Sequence, residues 1–229
     1  MITLGEKGAM TDFHSHIIPR LDHGSGSVET SLWQINAAKK AGISRIVATS
    51  HFYANAIDVP GFYALREKCF GELRRALPPD APEIMLGAEV LVFENLDRMP
   101  YVEKLCIAGT NVFLAELPMN SVDDSIADTI RHLIRRGLDV VLAHADRYDT
   151  DIIDACVDAG AKIQLNADGL LEHRNKKRCL RWIEEGSVYA LGSDIHGKGK
   201  NYEYFRKAIR ILGGRSAEIF AKTNALLKK

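Results

Sequence analysis

The sequence predicts one α/β domain built on parallel strands, either open or closed into a barrel. Three observations predict it. Apolar strand-like runs alternate with amphipathic helical segments along the whole chain. Those runs are continuous rather than alternating, as expected for strands buried on both faces. No Pro/Gly/Ser-rich linker divides the chain, and 229 residues suit one large domain. The domain is expected over residues 11–229, behind a flexible extension at residues 1–10.

The first strand is "MTDFHS", followed by a helix at Val28–Ala41 whose Leu32, Ile35 and Ala38 share one face. Next come the strand "SRIVATS", a helix at Gly61–Leu77 and the strand "EIMLGAEV". "NVFLAEL", "LDVVLAHA", "AKIQLNA" and "SVYALGSD" complete seven strands. Helices at Val122–Arg136, Asp151–Ala159, Lys176–Glu185 and Tyr202–Leu212 separate or follow them, and Ser216–Leu227 closes the chain. Gly42, Gly137, Gly160 and Gly186 each follow a helix, where a left-handed cap is wanted.

Lys plus Arg and Asp plus Glu balance at 30 each, so no global field favours nucleic acid or an anionic membrane. No apolar stretch approaches the roughly 20 residues of a membrane span, and "MITLGEKGAM" lacks the form of a signal peptide. Cys69, Cys106, Cys156 and Cys179 are scattered without C-x-x-C spacing. They read as reduced core thiols, which points to the cytoplasm.

The chemistry lies in what ends each strand. "TDFHSHIIPRLDHGSG" holds three of the chain's eight histidines. His14 and His16 leave the same face of a strand, and two buried imidazoles side by side each need a polar partner. A metal ion is the natural one. His51 ends the second strand, Glu89 the third, Glu116 the fourth, His144 the fifth, and Asp194 and His196 the seventh; His23 follows the first closely enough to join them. One histidine after an apolar strand is usually a hydrogen-bonded core residue. Six strands ending in His, Glu or Asp exceed coincidence. In a (β/α) barrel such ends share one face, where catalytic groups collect.

In that order, "DFHSHIIPRLDHG", "IVATSHFY", "GAEV", "LAELP", "LAHADRY" and "SDIH" resemble the polymerase-and-histidinol-phosphatase (PHP) superfamily. Within it they look like the bacterial tyrosine phosphatases of capsule and exopolysaccharide synthesis. The resemblance runs from about Thr11 to Leu212. It implies a distorted seven-stranded, TIM-like (β/α) barrel carrying three divalent metals, manganese being favoured over iron or zinc. His14, His16, Glu89 and Asp194 would hold one metal. Glu89, as a bridge, would hold a second with Glu116 and His144, and His23, His51 and His196 would hold the third. Family members often carry Asp where His23 stands. The implied reaction is hydrolysis of phosphotyrosine by a metal-bound hydroxide. The implied substrate is the tyrosine-rich tail of a membrane-associated kinase governing polysaccharide export, with no nucleic acid and no membrane insertion.

Charge supports that chemistry. Three divalent ions against three carboxylates and one hydroxide leave a net positive site, matched to a phosphate monoester dianion. Acceleration of monoester hydrolysis reaches roughly 10²¹, about 28 kcal/mol. One acid–base group supplies only about 10² to 10⁴, so metals must carry most of it. Arg147, three residues past His144, is placed to bind a phosphate oxygen through its planar fork. Asp194 or a neighbouring carboxylate would protonate the leaving phenolate. The family's second Arg after D-x-H is missing from "DIHGKGKNYEYF"; Lys198 and Lys200 are the expected phosphate contacts in its place, as point charges without a fork.

Other signals are weaker. Cys69 and Arg75 have the spacing of a cysteine-phosphatase loop, yet Cys69 shares helical spacing with Phe62, Leu65 and Leu73. His132, His173 and the basic run "HRNKKRCLR" read as solvated, and Trp33 and Trp182 as packing. A small-molecule phosphatase of the histidinol-phosphate type, a nuclease and a non-catalytic metal-binding module are the competing readings. Neutral charge argues against the nuclease, and the intact ligand set against the module.

Overall fold

The computed structural model describes residues 9–119 and 124–228. Most of the extension expected at residues 1–10 lies outside them, as do Val122 and Asp123 of the expected fourth-strand helix. Among the described residues the order is β1 (Thr11–Ser15), α1 (Val28–Ala41), β2 (Arg45–Ala48), β3 (His51–Phe52), α2 (Val59–Ala76), β4 (Glu83–Leu86) and β5 (Glu89–Leu91). There follow β6 (Val112–Glu116), α3 (Asp124–Arg135), β7 (Asp139–Leu142), α4 (Thr150–Asp158), β8 (Lys162–Asn166), α5 (His173–Glu184), β9 (Val188–Gly192), α6 (Asn201–Leu212) and α7 (Gly214–Leu226). Short 3₁₀ turns lie at Leu96–Arg98, Val102–Leu105 and Ala145–Arg147.

Every strand pair is parallel, in a three-stranded sheet β1-β2-β4 and a six-stranded sheet β3-β5-β6-β7-β8-β9. The α/β class and parallel strands are as the sequence predicts; the count of seven is not. Nine strands form because two apolar runs each break, at Thr49–Ser50 and at Gly87–Ala88. At the first break Thr49 turns to β1, its Oγ1 accepting from Ser15 N at 3.2 Å, where the β1–β2 register shifts. At the second, Gly87 fits because a Cβ there would lie 3.2 Å from Ile107. Backbone bonds still cross the gaps, from Gly87 N to Ala48 O (2.8 Å) and from Glu89 N to Ser50 O (3.1 Å). The end of β1 also bonds to the segment after β9, through Asp194 N to His14 O (2.8 Å) and His16 N to Ile195 O (3.3 Å).

Capping sets the helix limits. Ser27 accepts from Thr30 N to start α1, and Gly42 ends it at φ 93°; Gly137, Gly160 and Gly186 take positive φ as well. α2 begins two residues before the expected start because Asp58 accepts from Gly61 N at 2.8 Å and Pro60 fits the first turn. α5 begins at His173, so the basic run forms its exposed first turns while Cys179 and Trp182 face inward. On β7, Val140 and Leu142 join the main core with the helices, while Val141 joins Phe13, Val47, Leu114 and Ala190 in a second cluster. Both faces are filled, which is why the strands read as unbroken apolar runs.

Candidate metal centre

The ends of the strands bring all nine expected ligands together. Glu89, fully buried at the start of β5, is the hub. Its Oε2 lies 3.1 Å from His14 Nε2, 3.2 Å from His16 Nε2 and 3.0 Å from His51 Nδ1, while Oε1 lies 2.8 Å from His144 Nε2. Asp194 Oδ1 is 3.5 Å from His14 Nε2, 3.4 Å from His16 Nε2 and 3.5 Å from His196 Nδ1. Glu116 is 3.6 Å from His51 and 3.8 Å from His144. The His23 ring stacks on His51 and His196, with centroids 4.8 and 4.6 Å apart. A cavity of about 480 Å³ opens over them, walled by His23, His51, Tyr53, Glu116, His144, Arg147, Asp194 and His196.

Hydrogen bonds fix the ring tautomers. His14 Nδ1 lies 3.0 Å from Gln164 Oε1, an acceptor, so that nitrogen carries the proton. His16 Nδ1 likewise donates to Asp22 Oδ2 at 2.8 Å. With both rings neutral, as metal ligands must be, their bare Nε2 lone pairs face each other across 3.0 Å. Two lone pairs at that distance repel unless a positive charge sits beside them. Five further buried atoms, His51 Nδ1, Glu89 Oε2, Glu116 Oε2, His144 Nδ1 and His196 Nε2, have no hydrogen-bond partner. The donor set suits a cation, and within each of three groups the ligand atoms all lie within 4.8 Å of one another: His14, His16 and Glu89; His51, Glu89 and Glu116; and His16, His51 and His196.

The electrostatics say the same. Burial alone would depress the imidazole pKa values, but Glu89 and Asp194 raise His14, and hydrogen bonding to Asp194 and Asp22 raises His16 well above the usual range. Glu116 and Glu89 take His51 up to about 9 against the same burial. Burial would raise the carboxyls, yet His14 holds Glu89 far down, and His14, His16 and Arg147 do so for Asp194. His196, buried beside His16, falls to about 4. This is a place that demands positive charge. Two of its residues stand in the left-handed backbone region, His144 at φ 31° and Asp194 at φ 48°.

Arg147 lies at the rim, its Nη2 donating to Asp194 Oδ2 at 2.6 Å. Lys198 pairs instead with Glu29 at 3.1 Å, and Lys200 is exposed just ahead of α6; neither lines the cavity. His132 is exposed near Asp97, and His173 is exposed at the start of α5. All four cysteines are free and buried, and burial pushes the Cys106 and Cys179 thiols up to about 12 and Cys156 to about 11. Such thiols are poor nucleophiles. Sequence reasoning missed Asp22, which also accepts from His51 N at 3.0 Å. It missed Gln164, whose Oε1 holds His144 N at 2.7 Å, and Asn166, whose Nδ2 donates to Asp194 Oδ2 at 3.0 Å. The available signal was a polar pair at i, i+2 in "AKIQLNA", the one strand that ends in no ligand.

Relatives match most of this chain. Tyrosine-protein phosphatase YwqE of Bacillus subtilis is 26% identical over 214 residues, covering 89% of this chain and 84% of its own. Tyrosine-protein phosphatase CpsB of Streptococcus pneumoniae is 25% identical over 222 residues, covering 89% of each. A chain from the crystal structures of YwqE and CpsB, described as metal-dependent tyrosine phosphatases, superposes with a TM-score of 0.80 at 21% identity, over 95% of this chain and 94% of that one. That likeness establishes a shared fold. Residues 10–225 match the CpsB/CapC capsular polysaccharide synthesis profile, and the chain belongs to that family.

Proposed function

We propose that the chain is a metal-dependent protein-tyrosine phosphatase, a phosphoric monoester hydrolase of capsule or exopolysaccharide synthesis. The observation that carries the reading is the facing pair of His14 and His16 lone pairs at 3.0 Å beside Glu89 and Asp194. A cation between them satisfies both lone pairs and both carboxylates. Imidazole and carboxylate donors without thiolate suit manganese, iron or zinc, and we assign manganese. His14, His16, Glu89 and Asp194 form the first of three sites, Glu89, Glu116 and His144 the second, and His23, His51 and His196 the third. His51 also reaches Glu89 and Glu116, so it sits between the last two. Divalent ions there would acidify a water and offset phosphoryl charge.

The chain's own residues do the rest. Arg147 shifts its free N–H groups to a phosphoryl oxygen, while Asp194, held ionised by His14, His16 and Arg147, would take a proton from the attacking water and pass it to the departing phenolate oxygen. Tyr53, stacked on His51 with centroids 5.1 Å apart, offers a flat wall for the substrate ring. Lys198 and Lys200 reach phosphate only when their loop folds inward and Lys198 leaves Glu29. The same reading closes the two sheets into a seven-stranded barrel, each broken run counting once. The partner is a phosphotyrosine protein, a membrane-associated kinase by the family resemblance, met in the cytoplasm where the four thiols stay reduced.

The test is turnover on phosphotyrosine peptides, phosphoserine peptides, histidinol phosphate and single-stranded DNA, after chelation and after Mn²⁺ is restored. Metal-dependent turnover highest on phosphotyrosine supports the reading. Preference for another phosphoester, or full activity with the metal removed, overturns it.

A further inference from the structure

Arg66, on α2, is a buried cation with no hydrogen-bonded counter-ion among the described residues; Glu67, its neighbour on the helix, acts on it only through space. Its side chain is 2% exposed. One terminal nitrogen, Nη1, donates to Gly87 O at 2.9 Å, and the rings of Tyr63 and Phe62 lie 5.0 and 5.6 Å from its guanidinium carbon. Its Nε has no acceptor, and among the described residues no carboxylate pairs with it. A guanidinium carries five N–H donors, and among the described residues a single one finds an acceptor. Buried charges are normally paired, because an unpaired one loses its hydration for nothing.

Arg66 walls a cavity of about 550 Å³ between α2 and residues 103–110, which shares no residue with the histidine cluster. Lys104 brings a second cation to the lining; it stands over the Tyr101 ring at 4.9 Å and pairs with no carboxylate among the described residues. Of the two acidic residues there, Glu103 leans to Arg136 at 3.6 Å and Glu67 is exposed on the rim. The charge left unpaired at the inner wall is positive. Water could satisfy the N–H groups but could not neutralise it. An oxyanion does both.

We infer that this cavity binds a small anion whose carboxylate or phosphate oxygens take the terminal guanidinium nitrogens of Arg66, with Lys104 at the mouth. The inference stands whether or not the phosphatase reading holds. It has a consequence for that site all the same: Gly87, which Arg66 holds, lies in the strand break two residues before Glu89. An occupant drawing on the same guanidinium acts on the segment that aims the hub carboxylate.

Crystals of the full chain soaked in selenate, a tetrahedral dianion, or in 4-bromobenzoate, a carboxylate, locate the ligand by anomalous scattering. A peak beside Arg66 with one probe and not the other assigns the chemistry. In solution, inorganic phosphate and benzoate are titrated calorimetrically into metal-loaded wild type, Arg66→Met and Arg147→Ala. The expected result is a binding component that Arg66→Met weakens about tenfold or more and Arg147→Ala leaves in place. Methionine in place of an unpaired buried charge is compatible with folding, and the soak needs no variant. Ordered water alone beside Arg66 in both soaks overturns the inference. So does a soaked peak with no Arg66-dependent binding in solution, which is binding at crystal concentration only.

Discussion

The amide of Gln164 touches no reacting group, yet it decides which nitrogen of His14 is free. Its Oε1 takes both His14 Nδ1 and His144 N, and its Nε2 is committed to Asn166 Oδ1 at 2.9 Å, so the amide cannot flip. Gln164→Leu keeps the volume and removes the acceptor. Metal affinity, measured by competition with a chelator, should fall about 10- to 100-fold, and an unchanged affinity would refute the tautomer argument. The thiols give a second expectation. At pH 8 a thiol near pKa 12, as for Cys106 and Cys179, is ionised to about one part in ten thousand. Iodoacetamide on the folded protein should therefore leave turnover intact, while all four thiols react after denaturation. The ligands were legible in the sequence because His, Glu and Asp are costly after apolar strands. Gln164 and Asp22 were not, since a neutral amide and one more loop carboxylate carry no mark of what they orient.

At the scale of elements, β9 shows how little room the centre leaves. A Cβ on Gly192 would stand 2.5 Å from His14 Cβ and 2.6 Å from Gln164 Nε2. Gly192→Ala must push β1 or β8 aside, costing about 1–3 kcal/mol. A lower melting temperature together with weaker metal binding is expected; a variant that melts and binds like wild type would show that the strands give way freely. Element type was readable throughout, because continuous apolar runs and capped amphipathic segments have different periods. The breaks in "SRIVATS" and "EIMLGAEV" were not. They come from where Thr49 bonds and from how close Ile107 approaches Gly87, contacts between segments far apart in the chain.

For the molecule as a whole, cations bound at the proposed sites would tie together ends of strands drawn from both sheets, and the unfolded chain offers no such assembly. Free metal at about 100 times its dissociation constant adds about 2.7 kcal/mol to stability, or about 5–10 °C for a chain of this size. Scanning calorimetry of chelated and Mn²⁺-loaded protein measures it. Equal melting temperatures would mean that the cluster is satisfied without a metal. The α/β class followed from the order of elements, whereas the pairing of the sheets depends on distances no single segment encodes.

Holding His144 and Asp194 at positive φ has a consequence for how this chain can evolve. A side chain in that backbone region costs about 1–2 kcal/mol against glycine. His144→Gly should therefore melt above His144→Ala by several degrees, and the opposite order would show the backbone there to be relaxed. A lineage that no longer needed the reaction would find its easiest route to a sturdier protein at these same two codons. Glycine at either position would then be the earliest scar of a retired enzyme.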